Sequence, residues 1–249
     1  MTDPKPDDAA TAAAIGLVAY IAADLAHHLL GHAAGCVALG GAILSLTSIH
    51  VGCTVTGAAV DLAGPAANLV VGGGAWLTAV ALQGPRVRLF LLLCAGFNLL
   101  WFEGQLIFSA ATRQDDWDQL IRALNLQDPW RWGLVALGAM AYVVTIRALG
   151  RALRSYASPE PGRLRRLMAL AYAAGGVTAV ATGLRDPGGL HALVHQAAPQ
   201  ALVLPIGLLF VRAEAVAPAA GRIRFSPGLV VLALALLAVS VIWLGPGTI

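Results

Sequence analysis

The chain has 249 residues, of which 58% are hydrophobic and only 12% are charged. A soluble domain carries about twice that charged fraction, and several apolar runs reach the roughly 20 residues that cross a bilayer. The arginines behind the net charge of +3 are scattered over short loops, which argues against a nucleic-acid-binding surface. We therefore expect an all-α polytopic membrane protein whose surroundings are the lipid bilayer.

The first half of the chain predicts three membrane helices and a strand. A polar tail over residues 1–10 precedes a first span over 11–41. Residues 49–55 alternate between apolar and small or polar side chains. This pattern predicts a strand, or half of a short β-hairpin, at the interface or lining a protein cavity. The second and third spans are expected at 58–82 and 89–111.

The second half begins with a polar connector over 113–129, which has one apolar side and predicts an interfacial helix. Four further spans are expected at 130–148, 167–184, 201–211 and 228–244. The third of these is short, so the total is six or seven transmembrane helices. We divide the chain into the tail at 1–10, a three-helix core at 11–112 and additional helices and loops at 113–249.

The cysteines give no sign of a disulfide framework. Cys36, Cys53 and Cys94 are odd in number, widely spaced and mostly within apolar runs. They form no CxxC pair. We therefore expect them to act as small apolar filler.

Polar side chains recur every four residues inside the first span. Asp24, His28 and His32 would form one stripe on an α-helix. Ionisable groups at membrane depth cost insertion free energy, so this stripe predicts a functional site. Two histidines one helical turn apart suit zinc, which takes three protein ligands in catalytic sites and leaves one position open for water.

Two later spans carry polar residues that could meet this stripe. Counted from the predicted span ends, His32, Asn68 and Glu103 all lie about 12–15 Å below the same membrane face. Glu103 is therefore the expected third zinc ligand beside His28 and His32. Asp24, one turn before His28, would orient an imidazole by a hydrogen bond.

Three segments together resemble a known family. His28-Leu-Leu-Gly-His32-Ala33 resembles the HExxH helix of the site-2 proteases, which are intramembrane zinc metalloproteases. The segment from Ala63 to Asn68 resembles their GPxxN motif, and the segment from Asn98 to Gly104 is similar to their third motif, in which an Asn precedes an Asp-Gly. The resemblance covers residues 23–109. It implies that Asn68 contacts substrate, that Asn98 supports the site, and that the strand can pair with an unwound transmembrane substrate.

The sequence departs from this family at two important positions. Leu29 stands where the family has its catalytic Glu, the general base, and Glu103 stands in place of Asp. A positioned proton transfer contributes about 10²–10⁴-fold to a rate, so the loss of the base affects catalysis more than fold. Two functions therefore stay open. One is a zinc metallopeptidase that hydrolyses peptide bonds inside the membrane, and the other is an inactive relative that binds membrane partners.

Structural roles are the alternative for the same side chains. His28 and His32 could be hydrogen-bonded residues of a helix bundle, and Glu103 could pair with Asn98 or a histidine. His27 points to another face of an α-helix, so we expect it to be structural.

A second histidine pair, His191 and His195, lies in a predicted loop with no carboxylate in the segment. A surface helix is therefore the expected role of this pair. Haem binding is disfavoured because axial histidines normally come from facing helices. A transporter would predict inverted repeats, which the sequence lacks.

Arginine distribution predicts the orientation. With seven spans, most arginines fall on the side of the N-terminus, which is therefore expected to be cytoplasmic. The expected location is the plasma membrane of a bacterium. The site then lies nearer the non-cytoplasmic face, whereas members of the resembled family commonly open theirs towards the cytoplasm.

Overall fold

The computed structural model describes residues 6–82, 84–157, 160–213 and 218–247, and within these ranges it contains eight helices, a short 3₁₀ turn and one two-stranded sheet. The helices are α1 (Ala9–Ala38), α2 (Ala58–Ala81), α3 (Pro85–Thr112), α4 (Asp115–Ala123), α5 (Asp128–Ala152), α6 (Arg163–Gly183), α7 (Gly189–Phe210) and α8 (Pro227–Leu244). The strands are β1 (Ile43–Leu46) and β2 (Val51–Cys53), and the 3₁₀ turn is Arg154–Tyr156.

Five of the helices, α1, α3, α5, α7 and α8, are long and apolar enough to cross a membrane. This confirms the predicted helical class and suggests a membrane protein. α2 and α6, which the sequence also predicts as spans, have 24 and 21 residues. α7 begins well before the short sixth span expected at 201–211. β1 and β2 pair antiparallel, so the predicted strand is half of a hairpin.

α1 and α3 form the centre of the bundle. In their most apolar stretches 67% and 72% of residues are buried, against 22% in α5 and 11% in α8. Tyr20 of α1 contacts the rings of Phe97 and Trp101 of α3, with centroids 5.6 Å and 6.3 Å apart. The outer helices α5 and α8 expose apolar side chains, which fits a position facing lipid.

α1 changes its helical form halfway along. It is α-helical to Leu25, π-helical over Ala26–Ala33 and α-helical again to its end. A π-helix bonds each carbonyl to the amide five residues later, and the N–H of Ala34 accordingly reaches the carbonyl of Leu29. Gly31 lies in this segment, and a Cβ there would be 2.5 Å from the Cα of Gly64. Glycine therefore allows α1 and α2 to approach closely at this level.

A buried ion pair fixes the start of α1. Arg163 donates from Nε to Asp7 at 2.6 Å and from its NH2 group at 2.9 Å, and the N–H of Ile223 donates to the same carboxylate at 2.8 Å. Burial raises the pKa of Asp7, but these hydrogen bonds outweigh it, so the pKa lies below its ordinary value. The next residue, Asp8, caps α1 by accepting from the N–H of Thr11.

The expectation that no cysteine is paired is wrong for two of them. Cys36 and Cys53 form a disulfide, with Cα atoms 6.0 Å apart. The hairpin is the reason, because β2 returns from its tip to the end of α1. Cys94 is free and buried, as expected for apolar filler.

Thiol counting tests this pairing. In denatured, unreduced protein a thiol-reactive polyethylene glycol should label only one cysteine, Cys94, and should label all three after reduction. Cys94→Ala is the matched control and should give no label before reduction. The double variant Cys36→Ser/Cys53→Ser should lower the free energy of unfolding by about 3 kcal/mol, because it opens a short loop. Three labels before reduction would contradict the disulfide.

Candidate metal centre

Three metal-binding side chains meet where α1 faces the start of α4. The Nε2 atoms of His27 and His32 are 3.1 Å apart. The Oδ2 atom of Asp116 lies 3.3 Å from the first nitrogen and 3.4 Å from the second. Within the described part of the chain, this is the one group of three or more His, Cys, Asp or Glu side chains close enough to share an ion.

The π-helical segment explains why His27 rather than His28 pairs with His32. On an α-helix, residues five apart are separated by about 140° around the axis, at about 100° per residue. In a π-helix the hydrogen-bonded repeat is five residues, so His27 and His32 come to lie above one another. The prediction that His27 points to another face of the helix assumed the α-helical period, and it is wrong because this segment is π-helical.

A chain of buried hydrogen bonds sets the tautomer of His27. The carbonyl of Cys94 accepts from Nδ2 of Asn98 at 2.8 Å, and Oδ1 of Asn98 accepts from Nδ2 of Asn68 at 2.8 Å. Oδ1 of Asn68 is then left to accept from Nδ1 of His27, at 2.5 Å. Because a carbonyl can only accept, every donor along this chain is assigned, and Nδ1 of His27 carries the proton.

His32 is oriented in the same sense by the backbone. Its Nδ1 lies 2.9 Å from the carbonyl of Val60, which can only accept, so this nitrogen also carries the proton. When the two rings are neutral, each therefore points an unprotonated Nε2 at the carboxylate of Asp116. Three acceptors face one another, and a cation between them would satisfy all three.

The spacing of the three atoms fits zinc. Zinc binds imidazole nitrogen and carboxylate oxygen at about 2.0–2.1 Å, so tetrahedral ligand atoms lie roughly 3.3–3.4 Å apart. The separations of 3.1, 3.3 and 3.4 Å match this value closely. Hydrogen bonds from the outer ring nitrogen to Asn68 and to the Val60 carbonyl are the kind of partners that ligating histidines commonly have.

The chain places Asp116 in the site by reversing direction after α3. Arg113 and Asp115 have left-handed backbone conformations, with φ of 60° and 68°. α4 therefore starts back against α3, where Nε2 of Gln105 donates to Asp115 and to Asp116, each at 3.1 Å. Gln105 is fully buried and anchors both carboxylates.

The two adjacent carboxylates have opposite electrostatic settings. Burial raises the pKa of Asp116, but hydrogen bonds and charge interactions with His27 and His32 outweigh it when those rings carry a second proton at Nε2, so the pKa is lowered. Burial raises the pKa of Asp115, and the neighbouring charge of Asp116 raises it further. Asp116 is therefore the carboxylate that favours a bound cation, and Asp115 beside it is the one that takes up a proton more easily.

A cavity of about 1040 Å³ contains the three donor atoms. Its wall includes β2, the start of α2, α4 and the first part of α7. On the side away from the cavity, the ring of Trp101 stacks on His27, with centroids 5.0 Å apart and planes 20° apart. The site thus lies between an apolar aromatic wall and an open space large enough for a substrate.

The other predicted site residues divide into two groups. Asn68 and Asn98 reach the site, through the hydrogen-bond chain to His27. Asp24 and His28 lie beside it, with Oδ1 and Nε2 3.8 Å apart. Neither ring nitrogen of His28 has a hydrogen-bond partner among the described residues, so Asp24 does not orient the pair that meets Asp116.

The structure turns Glu103 away from the histidines. Its Oε1 accepts from Thr145 of α5 at 2.6 Å. Asn98 and Glu103 are five residues apart on the α-helix α3, so about 140° separates them. Because Asn98 faces α2, Glu103 must face another neighbour. Asp116, from the connector expected only to lie at the interface, occupies the place predicted for Glu103.

Compared with protein-family models, with curated proteins and with solved structures, the chain has no match.

Metal analysis of purified protein should distinguish the ligands that the structure brings together, which include His27 and Asp116, from those that the sequence predicts, which include His28 and Glu103. His27→Ala, His32→Ala and Asp116→Ala should each remove most bound zinc, because each deletes one of three ligand atoms. His28→Ala and Glu103→Gln are the matched controls and should retain it. Zinc lost from His28→Ala but kept in His27→Ala would contradict the π-helical pairing. Absence of zinc from the unmutated protein would mean that shared protons hold the three groups together.

Two glycines of α2 allow a test of how closely the His32 ring packs against that helix. A Cβ on Gly64 would overlap the His32 ring, whereas a Cβ on Gly73 of the same helix would meet nothing within 4 Å. Gly64→Ala should therefore reduce zinc affinity at least tenfold. Gly73→Ala should keep zinc and raise the free energy of unfolding by about 0.5–1 kcal/mol, because alanine favours a helix. Equal zinc affinity in both variants would contradict this placement of His32.

Proposed function

We propose that this protein is a membrane-embedded zinc metallopeptidase, similar in function to the site-2 proteases, with zinc held by His27, His32 and Asp116. The observation that carries the proposal is the spacing of their three ligand atoms, 3.1–3.4 Å apart, at the wall of a large cavity. Three protein ligands leave a fourth position free, which is the arrangement of catalytic rather than structural zinc.

When bound there, zinc would polarise a substrate carbonyl and lower the pKa of a water molecule. The residues of the chain supply position and proton transfer. Asn68 and the carbonyl of Val60 keep both imidazoles turned towards the cavity. Trp101 covers the face of His27, which excludes water from the side opposite the substrate.

Asp115 is the residue that we assign as general base. It lines the cavity next to Asp116 and is joined to it through Gln105. Asp118 also lines the cavity, but Arg122 and Arg131 hold its carboxylate. Asp115 has no such cation partner among the described residues and can accept a proton from water.

The leucine in the HLLGH segment has less effect on this proposal than the sequence suggests. Leu29 is 42% exposed and is not part of the described cavity wall. The π-helical segment turns position 29 away from His27 and His32. A glutamate there would therefore not serve as the base, and its absence does not by itself indicate an inactive protein.

We propose an unwound transmembrane polypeptide as the substrate. The cavity wall includes Val51, Gly52 and Cys53 of β2, whose backbone can pair with an extended chain. β1 pairs with one edge of β2, and within the described residues no strand pairs with the other edge. The surrounding bilayer would supply such segments laterally.

We propose that the site opens on the non-cytoplasmic side, with the N-terminus in the cytoplasm. The arginine distribution supports this orientation through the positive-inside rule. The Cys36–Cys53 disulfide supports it independently, because it lies at the hairpin beside the cavity and disulfides persist in oxidising compartments. A reduced pair in freshly isolated, alkylated membranes would contradict this orientation.

Proteolysis of a model single-span substrate in liposomes tests the catalytic assignment. Asp115→Asn should lower the cleavage rate about 10²–10⁴-fold while zinc content stays unchanged, since it removes the proton acceptor but no ligand. Asp128→Asn, which changes an exposed carboxylate outside the cavity wall, is the matched control and should cleave at the normal rate. Leu29→Glu should give no increase.

The second candidate is an inactive relative that binds membrane segments through the same cavity, whose wall includes the backbone of β2. Zinc-loaded protein that binds the model substrate but leaves it intact, with or without Leu29→Glu, would establish this candidate and reject the peptidase. Full cleavage by Asp115→Asn would instead reject only the assigned base.

A further inference from the structure

All six histidines of the chain line the same cavity, although they come from three separate segments. Three belong to the π-helical segment of α1. The other three, His50, His191 and His195, are exposed, and lie on the hairpin and on the first turns of α7. The metal centre described above uses two of the inner histidines and leaves the outer three unassigned.

His191 and His195 are arranged as a chelating pair. They are four residues apart at the start of α7, and their ring centroids are 4.5 Å apart with planes tilted by 41°. Both rings are exposed, so ions in water reach them without opening the fold. Imidazole is a good ligand for zinc and neighbouring divalent transition metals, and a helical turn places two imidazoles on one ion.

The backbone beneath this pair is held in place. Ala192 and Ala197, which alternate with the two histidines along the helix, are buried against Ile49 of the hairpin. Gln200 donates to the carbonyl of Ile49 at 3.5 Å. This contact also carries the next residue, His50, to the same part of the cavity, and His50 and His191 both line a second, smaller cavity as well.

We propose that His191 and His195 form a second, outer site for a divalent transition-metal ion, at the exposed wall of the cavity that contains the inner centre. Two imidazoles bind the ion and water completes its coordination, so the outer site binds more weakly than the inner one. An ion held there lies in the same cavity as the inner centre. The proposal depends only on the outer pair and does not require peptidase activity.

Zinc titration of the full-length, metal-stripped protein in detergent, against a competing chelating dye, tests the outer site. The unmutated protein should bind two equivalents, one tight and one weaker. His191→Ala/His195→Ala should lose the weaker equivalent or lower its affinity at least tenfold, and keep the tight one. Gln196→Ala, a change of an exposed residue on the same helix, is the matched control and should keep both.

The reverse variant separates the two sites. His27→Ala/His32→Ala should lose the tight equivalent and keep the weaker one. The outer site would be overturned if His191→Ala/His195→Ala bound the weaker equivalent unchanged. If His27→Ala/His32→Ala then still lost the tight equivalent, the inner centre would stand. A single equivalent in the unmutated protein that survives His191→Ala/His195→Ala would overturn it equally.

Discussion

The contact between His27 and His32 inside the π-helical segment is the interaction on which the rest of the site depends. It exists only because α1 departs from the α-helical repeat over Ala26–Ala33. The close approach of Gly31 to Gly64 brings α2 against that segment, so that Asn68 and the Val60 carbonyl reach the two rings. Wide turns of this kind are rare in helices and recur at functional sites.

The polar groups around these rings are tolerated in an apolar bundle because most of them are paired. An unpaired buried polar group costs about 1–3 kcal/mol, and the chain from Cys94 through Asn98 and Asn68 satisfies each donor and acceptor in turn. Among the described residues, both ring nitrogens of His28 and Oδ1 of Asp24 are buried without a hydrogen-bond partner. The Nε2 atoms of His27 and His32 and the Asp116 carboxylate face one another at 3.1–3.4 Å. When both rings are neutral, these three acceptors repel one another, which is the physical reason for expecting an ion between them.

Two pairs of residues with the same spacing illustrate how far sequence reading reaches. His27 and His32 are five residues apart and converge, whereas Asn98 and Glu103 are also five apart and diverge. The difference is the helical repeat, π in α1 and α in α3, and no local residue pattern distinguishes the two. A reading based on the α-helical period therefore selects His28, the neighbour of His27, and depth counted from the span ends selects Glu103 rather than Asp116. His191 and His195 also meet, with ring centroids 4.5 Å apart, where α7 changes from α-helical over Gly189–Ala192 to π-helical over Leu193–Ala197.

The sequence by itself determined the apolar helical class and the strand after the first span, because hydrophobic runs and β-alternation are local properties. It also marked Asn68 and Asn98 as site residues, through the resemblance of two short segments to the motifs of a known family. Only the tertiary structure decided which side chains meet as candidate ligands and that Cys36 pairs with Cys53. Both depend on where the chain turns back, at Arg113 and Asp115 for Asp116 and at the hairpin for Cys53, and such reversals bring together residues whose separation along the chain carries no signal.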